Sequence, residues 1–216
     1  MNFLVFLGSV RDSTPPMPAR LGQRVAMALQ SQLAESGHQA MLIDPLDFEL
    51  GGVFKPHFAY ARGQAPEALE SLADRIERAD GYVMVSPEYN HSMSPALAHL
   101  LNHFGSSLYS YKPSVIATYS AGQWGGARAA VNLRSFLSEL GCLPVSAMIH
   151  VPRAHEVFDD SGNWLQGVDG EAWAGYFQRA LLQLAWWGEA AARQREHGEA
   201  ARPGAFNRDP SQRNAP

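Results

Sequence analysis

Short runs of apolar residues alternate along the chain with segments in which apolar residues recur at helical spacing. Runs that are apolar throughout are typical of strands covered on both faces, and such strands are expected over residues 3–7, 41–43, 82–85, 114–119 and 143–151. Helices are expected between and after them, over residues 21–37, 66–80, 96–104, 127–140 and 173–195. This alternation predicts an α/β fold with a doubly wound, five-stranded parallel sheet and helices on both faces.

Two segments do not follow this pattern. Residues 46–64 contain Gly51-Gly52, Pro56 and several aromatic residues without periodicity, and a loop of this length in a compact domain is often functional. From residue 197 onward the chain is polar and interrupted by prolines, as is typical of disordered segments. We therefore expect one domain over residues 1–196 and a disordered or loosely bound tail over residues 197–216.

Composition narrows the class of protein. The net charge is -4, with 17 Lys plus Arg against 21 Asp plus Glu, so the sequence shows no basic surface for nucleic acid. No apolar stretch approaches the roughly 18 residues of a membrane span, and residues 1–5 look like a strand and not a signal peptide. Cys142 is the only cysteine, so neither an intrachain disulfide nor a cysteine cluster can form. We expect a cytoplasmic protein that does not bind a membrane.

Three segments that follow strands carry the candidate chemistry. Ligands of open α/β sheets bind beyond the carboxyl ends of the strands, and in the strand order 2-1-3-4-5 strands one, three and four are neighbours. These strands are followed by a first loop (residues 8–13), a second loop (86–92) and a third loop (120–126). The three loops are therefore expected to line one crevice.

The first loop has the composition of a phosphate site. Gly8 allows a tight turn, Ser9 and Ser13 offer hydroxyl donors, and the forked guanidinium of Arg11 suits phosphate oxygens. The predicted helix from Leu21 can add the positive end of its dipole. Neither a dinucleotide fingerprint nor a P-loop sequence occurs. The competing interpretation is a polar turn between strand and helix.

The second and third loops suggest a planar ligand. In the second, Tyr89 can pack against a flat ring and Asn90 can both donate and accept hydrogen bonds, unless this is a plain turn with an Asn cap and a buried Tyr. The third loop contains glycines that let backbone N–H groups approach a ligand, although turn chemistry alone explains glycines too. The convergence of all three loops favours a ligand site.

These residues resemble a known family. The matching stretches are Gly8-Ser9-x-Arg11-x-Ser13-Thr14, Pro87-Glu88-Tyr89-Asn90-x-Ser92 and Ser120-x-Gly122-x-x-Gly125-Gly126. Together they are similar to the NAD(P)H-dependent FMN reductases, a flavodoxin-like family that includes quinone and azo reductases. The resemblance covers about residues 1–155, and the Pro-Glu-Tyr-Asn stretch is its most specific part. The chain departs from the family where Thr14 replaces a serine three positions after the arginine and where several prolines follow.

The resemblance implies an FMN site and a set of roles. Phosphate would be held by Ser9, Arg11 and one of Ser13, Thr14 or Arg20. The flavin ring would be framed by Pro87, Glu88, Tyr89 and Asn90, with Ser120, Gly122, Gly125 and Gly126 at its pyrimidine edge. NAD(P)H would be the co-substrate, and hydride would pass through FMN to a flavin, quinone or azo acceptor in a ping-pong sequence. Because the flavin carries the redox chemistry, no catalytic side chain is assigned.

Other interpretations remain open at this point. His99 and His103 stand four residues apart on a predicted helix, but no third ligand accompanies them, so no metal site is predicted. A flavin-binding electron carrier with a protein partner is the main alternative, although such carriers usually bear a stronger acidic surface. A nucleotide-phosphate or sugar-phosphate enzyme could use the same crevice. A small-molecule electron acceptor and a homodimer or homotetramer are the expected partners.

Overall fold

The structure is a computed structural model that describes residues 1–12, 20–51 and 53–197. The strands in these segments are β1 (Asn2–Leu7), β2 (Gln39–Ile43), β3 (Gly81–Pro87), β4 (Pro113–Tyr119), β5 (Leu143–Pro144) and β6 (Ile149–Val151). The α-helices are α1 (Leu21–Glu35), α2 (Glu67–Arg78), α3 (Pro95–Asn102), α4 (Ser106–Tyr109), α5 (Ala127–Glu139), α6 (Ala154–Val157) and α7 (Gly170–Glu196). The predicted alternation of strands and helices is confirmed.

All strand pairs in the sheet are parallel, and the order is β2-β1-β3-β4-β5, with β6 also pairing with β4. The predicted sheet is therefore confirmed, but the prediction of one continuous fifth strand over residues 143–151 is wrong. The guanidinium of Arg134 donates to the carbonyl oxygens of Pro144 (3.1 Å) and Val145 (2.8 Å). These contacts accompany the interruption between β5 and β6.

Two apolar layers enclose the sheet because successive side chains of a strand point to opposite faces. Phe3, Val5 and Leu7 of β1 pack with α1 and α7, whereas Leu4 and Phe6 pack with α2, α3 and α5. Central strands β3 and β4 are buried along their whole length. Burial on both faces holds these strands in place. The loops at the strand ends are therefore the parts that a ligand can reach.

The long segment over residues 46–64 contains two short 3₁₀ turns, Pro45–Asp47 at its start and His57–Ala59 within it. It is attached to the second apolar layer: the His57 N–H donates to the carbonyl of His103 at 2.7 Å, and Phe54 packs on the His103 ring. No helix in the described part of the chain combines the length and apolarity needed to cross a membrane. The predicted tail lies outside the described residues except for its first, His197, so the domain boundary stays a prediction.

Candidate functional site

The first loop is held against β3 at the point where β1 ends. The N–H of Gly8 donates to the carbonyl oxygen of Val85 at 2.7 Å. A Cβ at position 8 would lie 2.6 Å from that same oxygen, so a side chain there would push the loop away. The next residue, Ser9, is buried. Gly8 is therefore needed for close approach of the two strands' ends, in agreement with the tight turn expected there.

Tyr119, the last residue of β4, connects the first loop to α1. Its buried hydroxyl accepts a hydrogen bond from the N–H of Gly22 and is hydrogen-bonded to the Ser9 side chain. Burial raises the pKa of this hydroxyl well above its usual value, so Tyr119 is neutral and can both donate and accept. A Cβ on Gly22 would overlap Tyr119 Oη and lie 2.9 Å from Leu7 Cδ1. Neighbouring strand ends and the first helix are thus packed as one unit.

Arg20, a predicted phosphate residue, already has several partners within the protein. One nitrogen of its guanidinium donates to the carbonyl of Ser9 and to Asp44 Oδ1, and another donates to Asp44 Oδ2. The side chains of Arg20 and Asp44 are 6% and 13% exposed, and Asp44 also accepts the N–H of Leu46 at 3.0 Å. This geometry makes Arg20 an anchor between the first loop, the start of α1 and the end of β2.

Arg11 has a different environment. Its backbone N–H lies 3.4 Å from Ser9 Oγ, and its side chain is exposed. Within residues 1–12, 20–51 and 53–197, its guanidinium forms no ion pair. The two other predicted phosphate residues, Ser13 and Thr14, lie outside the described residues. Arg11 is consequently the cation of the described first loop that can turn to an incoming anion.

The second loop forms a tight two-residue turn. The N–H and carbonyl groups of Tyr89 and Ser92 bond to each other in both directions at 3.0 Å, while Asn90 and His91 have φ of 51° and 62°. Two successive positive φ values are the mark of a type I′ turn. Tyr89 is 49% exposed, and the N-cap of α3 is Ser94. The alternative of an Asn cap with a buried Tyr is therefore wrong.

Glu88 joins the second loop to the helix that follows the third. Its Oε2 accepts the backbone N–H groups of Arg128 (3.1 Å) and Ala129 (3.3 Å) in the first turn of α5. Only 14% of its side chain is exposed. A carboxylate at this place satisfies helix N–H groups that would otherwise lack partners and interacts favourably with the helix dipole. Glu88 therefore fixes the two loops relative to each other.

The third loop is shaped by one serine and three glycines. Ser120 Oγ donates to the carbonyl of Gly122 (2.7 Å) and accepts the N–H of Gly125 (3.0 Å). Gly125 and Gly126 have φ of 58° and 75°, and a Cβ on Gly126 would lie 2.9 Å from Thr118 Cβ. Gly122 differs, because its φ is not in this region and nothing lies within 4 Å of a Cβ built on it. Neither strain nor internal packing accounts for glycine at position 122.

These contacts assemble one crevice at the carboxyl ends of β1, β3 and β4. The loops that follow these neighbouring strands carry the exposed guanidinium of Arg11, the half-exposed ring of Tyr89 and open space at the Cβ position of Gly122. These groups suit a planar ligand bearing an anionic group. A model of the NADPH-dependent FMN reductase family matches residues 1–156. The chain belongs to this family. The matched segment holds all three loops.

Individual relatives of this FMN reductase family agree with the assignment. An NAD(P)H-dependent FMN reductase of Pseudomonas aeruginosa is 34% identical over 132 residues, which cover 59% of this chain and 69% of the relative. A quinone reductase of Escherichia coli is 40% identical over 75 residues, 33% of this chain and 40% of the relative. Both alignments leave part of the relative unmatched, so the identities support the family and not a particular acceptor.

Among solved structures, the FerB flavoenzyme of Paracoccus denitrificans, an NAD(P)H:(acceptor) oxidoreductase, superposes with a TM-score of 0.64. It is 21% identical, and the alignment covers 87% of this chain and 97% of FerB. At this identity the likeness concerns the fold alone. The shared architecture is the flavodoxin-like fold, which the sheet order of this FMN reductase family member also indicates.

Sequence reasoning missed two residues that position this site. Asp44 directly follows the strand predicted over residues 41–43, and Tyr119 ends the strand predicted over residues 114–119. The acidic residue beside Pro45 does carry a signal for a turn, and Asp44 does cap the turn at Pro45–Asp47. Its partnership with Arg20 bridges 24 positions, and nothing local in the sequence indicates it.

Proposed function

We propose that this protein is an FMN-dependent NAD(P)H oxidoreductase that reduces a flavin, quinone or azo acceptor in a ping-pong sequence. The observation that carries the proposal is the joining of the three loops into one crevice by Gly8, Tyr119 and Glu88. Membership of the NADPH-dependent FMN reductase family supports the same cofactor and co-substrate. The net reaction takes a hydride from NAD(P)H and a proton from water, and converts a quinone into its hydroquinone.

The crevice fits FMN by the chemistry of its donors. The phosphate needs a cation and hydroxyl groups, and the flat ring system needs an aromatic or backbone surface with no side chain in the way. Exposed Arg11, half-exposed Tyr89 and the empty space at the Cβ position of Gly122 meet these needs. When bound there, FMN supplies the group that accepts and then releases a hydride.

The phosphate end is assigned to the first loop. Arg11 supplies the positive charge. The Ser9 hydroxyl is hydrogen-bonded to Tyr119 and accepts the backbone N–H of Arg11, so it borders the space assigned to the phosphate. Arg20 supports the phosphate site indirectly, because its contacts with Asp44 and the Ser9 carbonyl hold the first loop in position. Ser13 and Thr14 remain predicted phosphate donors.

The ring end is assigned to the second and third loops. Pro87 ends the buried strand, and the turn after it presents Tyr89 and Asn90 outward. Glu88 faces α5 and not the crevice, so its part is to position the loop. The backbone around Gly122, stiffened by the Ser120, Gly125 and Gly126 contacts, borders the pyrimidine edge. A ping-pong order follows if NAD(P)H and acceptor use one opening between these loops in turn.

The decisive experiment measures FMN binding and NAD(P)H oxidation on the purified protein. FMN titration followed by flavin fluorescence should saturate, and initial rates at several acceptor concentrations should give parallel double-reciprocal lines. Arg11→Ala should weaken FMN binding about 10- to 100-fold, the usual range for a lost hydrogen bond to a charged group. Arg78→Ala, which removes a solvent-exposed arginine paired with Asp74 on α2, should leave FMN affinity unchanged.

Each outcome has a defined meaning. Absence of both FMN binding and NAD(P)H oxidation would remove the proposal entirely. FMN binding without NAD(P)H oxidation would favour an electron carrier instead. Intersecting double-reciprocal lines would refute the ping-pong order while leaving the activity in place.

A further inference from the structure

An exposed tryptophan stands on the third loop. Trp124 has 64% of its surface exposed, although tryptophan is among the most buried residue types on average. The peptide group that follows it is held in place, since the Trp124 carbonyl accepts the N–H of Ala127 and the Gly125 N–H donates to Ser120 Oγ. The ring is thus a flat apolar surface presented on a rigid support beside the crevice.

A guanidinium accompanies this ring. The Arg128 guanidinium carbon lies 5.6 Å from the centre of the Trp124 ring, within the range of a cation–π contact. Half of the Arg128 side chain is exposed, and its Nη1 lies 3.5 Å from Glu88 Oε1. The other Glu88 oxygen is bonded to backbone N–H groups of α5. The Glu88 carboxylate therefore offsets the positive charge of Arg128 only in part, and N–H donors of the guanidinium remain exposed to solvent.

A second arginine, Arg153, also stands beside the third loop, and like Arg128 it has a glutamate partner. Arg153 donates its backbone N–H to the Gly122 carbonyl at 2.9 Å, and its side chain is 57% exposed with Glu156 at 3.7 Å. Each arginine thus has one carboxylate partner, so the formal charges of the two pairs balance. The preference for an anion therefore depends on Arg128 itself, whose side chain is half exposed.

We infer that Trp124 and Arg128 form a subsite for planar acceptors that carry an anionic group, such as a carboxylate or a sulfonate. The acceptor's ring stacks on Trp124 and its anionic group pairs with Arg128. This inference rests on the proposed oxidoreductase function and names the class of acceptor that the crevice prefers. The acceptor is reduced by one hydride and one proton, so the anionic group itself is unchanged.

The binding test uses a redox-inert probe, naphthalenesulfonate, titrated calorimetrically into the FMN-loaded protein. Trp124→Ala should weaken binding about tenfold and Arg128→Gln about fivefold. Arg128→Lys keeps the positive charge, so its affinity for naphthalenesulfonate should lie between those of wild type and Arg128→Gln. Affinity should also fall as salt is raised, because exposed charges are screened. Since Glu88 bonds to the backbone N–H of residue 128, the helix cap survives these substitutions.

The matched control is Trp186 on α7, which is 62% exposed against 64% for Trp124 and whose ring partner is Trp187. Trp186→Ala should leave the affinity for naphthalenesulfonate unchanged. Equal loss in the Trp124→Ala and Trp186→Ala variants, or no loss in either, would overturn the subsite.

A kinetic arm compares naphthoquinone with its sulfonate. Trp124→Ala should lower kcat/KM for both quinones, whereas Arg128→Gln should lower it about fivefold more for the sulfonate than for naphthoquinone. A ratio of the two kcat/KM values that stays at the wild-type level in Arg128→Gln would refute the anion preference. Provided that the wild-type protein oxidises NAD(P)H, this result leaves the proposed oxidoreductase function in place. A wild type that oxidises no NAD(P)H would instead refute the proposed function.

Discussion

Replacing Asp44 tests whether Arg20 is an anchor or a ligand for phosphate. The Arg20 guanidinium is 6% exposed, and Asp44 provides both of its carboxylate contacts. Asp44→Ala would leave a buried cation with the Ser9 carbonyl as its remaining acceptor among the described contacts. Breaking a buried pair in this way costs about 3–5 kcal/mol. For a domain of this size the melting temperature should fall by about 6–20 °C.

The assay is thermal unfolding followed by circular dichroism, without FMN and with saturating FMN. The double variant Arg20→Met with Asp44→Leu removes both charges and keeps apolar volume, so it should recover most of the lost stability. Its FMN affinity should fall by less than that of Arg11→Ala, since the first loop loses the Arg20 contact to the Ser9 carbonyl but no phosphate contact is lost. Arg11→Ala should show the opposite pattern, with weak FMN binding and an unchanged melting temperature.

Two results would refute this reasoning. An Asp44→Ala protein as stable as wild type would show that the pair does not hold the first loop. A double variant that is stable but binds FMN as weakly as Arg11→Ala would place Arg20 among the phosphate ligands.

Three further predictions concern stability. Glu88→Ala removes the acceptor for two N–H groups of α5, so it should lower the free energy of unfolding in urea by about 1–2 kcal/mol. Glu88→Gln keeps an acceptor oxygen and should lose less. Equal losses in the two variants would contradict the capping role. Gly22→Ala should lower the free energy of unfolding by about 1–3 kcal/mol, because the new Cβ overlaps Tyr119 Oη. Tyr119→Phe removes that oxygen and should restore part of the loss. Additive losses in a double-mutant cycle would contradict the overlap. Burial lowers the pKa of His103 below its ordinary 6.5, so the unfolded chain binds a proton that the folded chain does not, and stability should fall as pH drops through and below about 6.5. His103→Asn should flatten part of this slope in melting temperatures measured between about pH 7.5 and 5.5; an unchanged slope would show that this histidine does not contribute.

The fold could be predicted from the sequence because its pattern is strong and local. Strand β1 is apolar throughout, as a strand covered on both faces must be, and its neighbours follow the same rule. Right-handed crossovers and the known orders of doubly wound sheets then leave few topologies. The crevice followed from that topology, since it places the ends of β1, β3 and β4 side by side.

The internal support of the crevice could not be predicted, because it depends on hydrogen bonds between distant positions. Glu88 looked like part of the ring-binding stretch, yet it caps a helix that begins 39 positions later, as its bonds to residues 128 and 129 show. Arg20 looked like a phosphate candidate, yet its partner is Asp44. Arg134 bonds to carbonyls 10 and 11 positions away, where the fifth strand is interrupted. Periodicity and motif spacing contain no information about such pairs.

The rigid backbone around Trp124 bears on how the acceptor range of this protein can change over evolutionary time. Gly125 and Gly126 are tied to their backbone conformation, and Glu88 is tied to α5. The Trp124 side chain takes no part in these supports and is mostly exposed. In the proposed acceptor subsite, substitutions at position 124 would therefore change the surface offered to acceptors at little cost in folding stability.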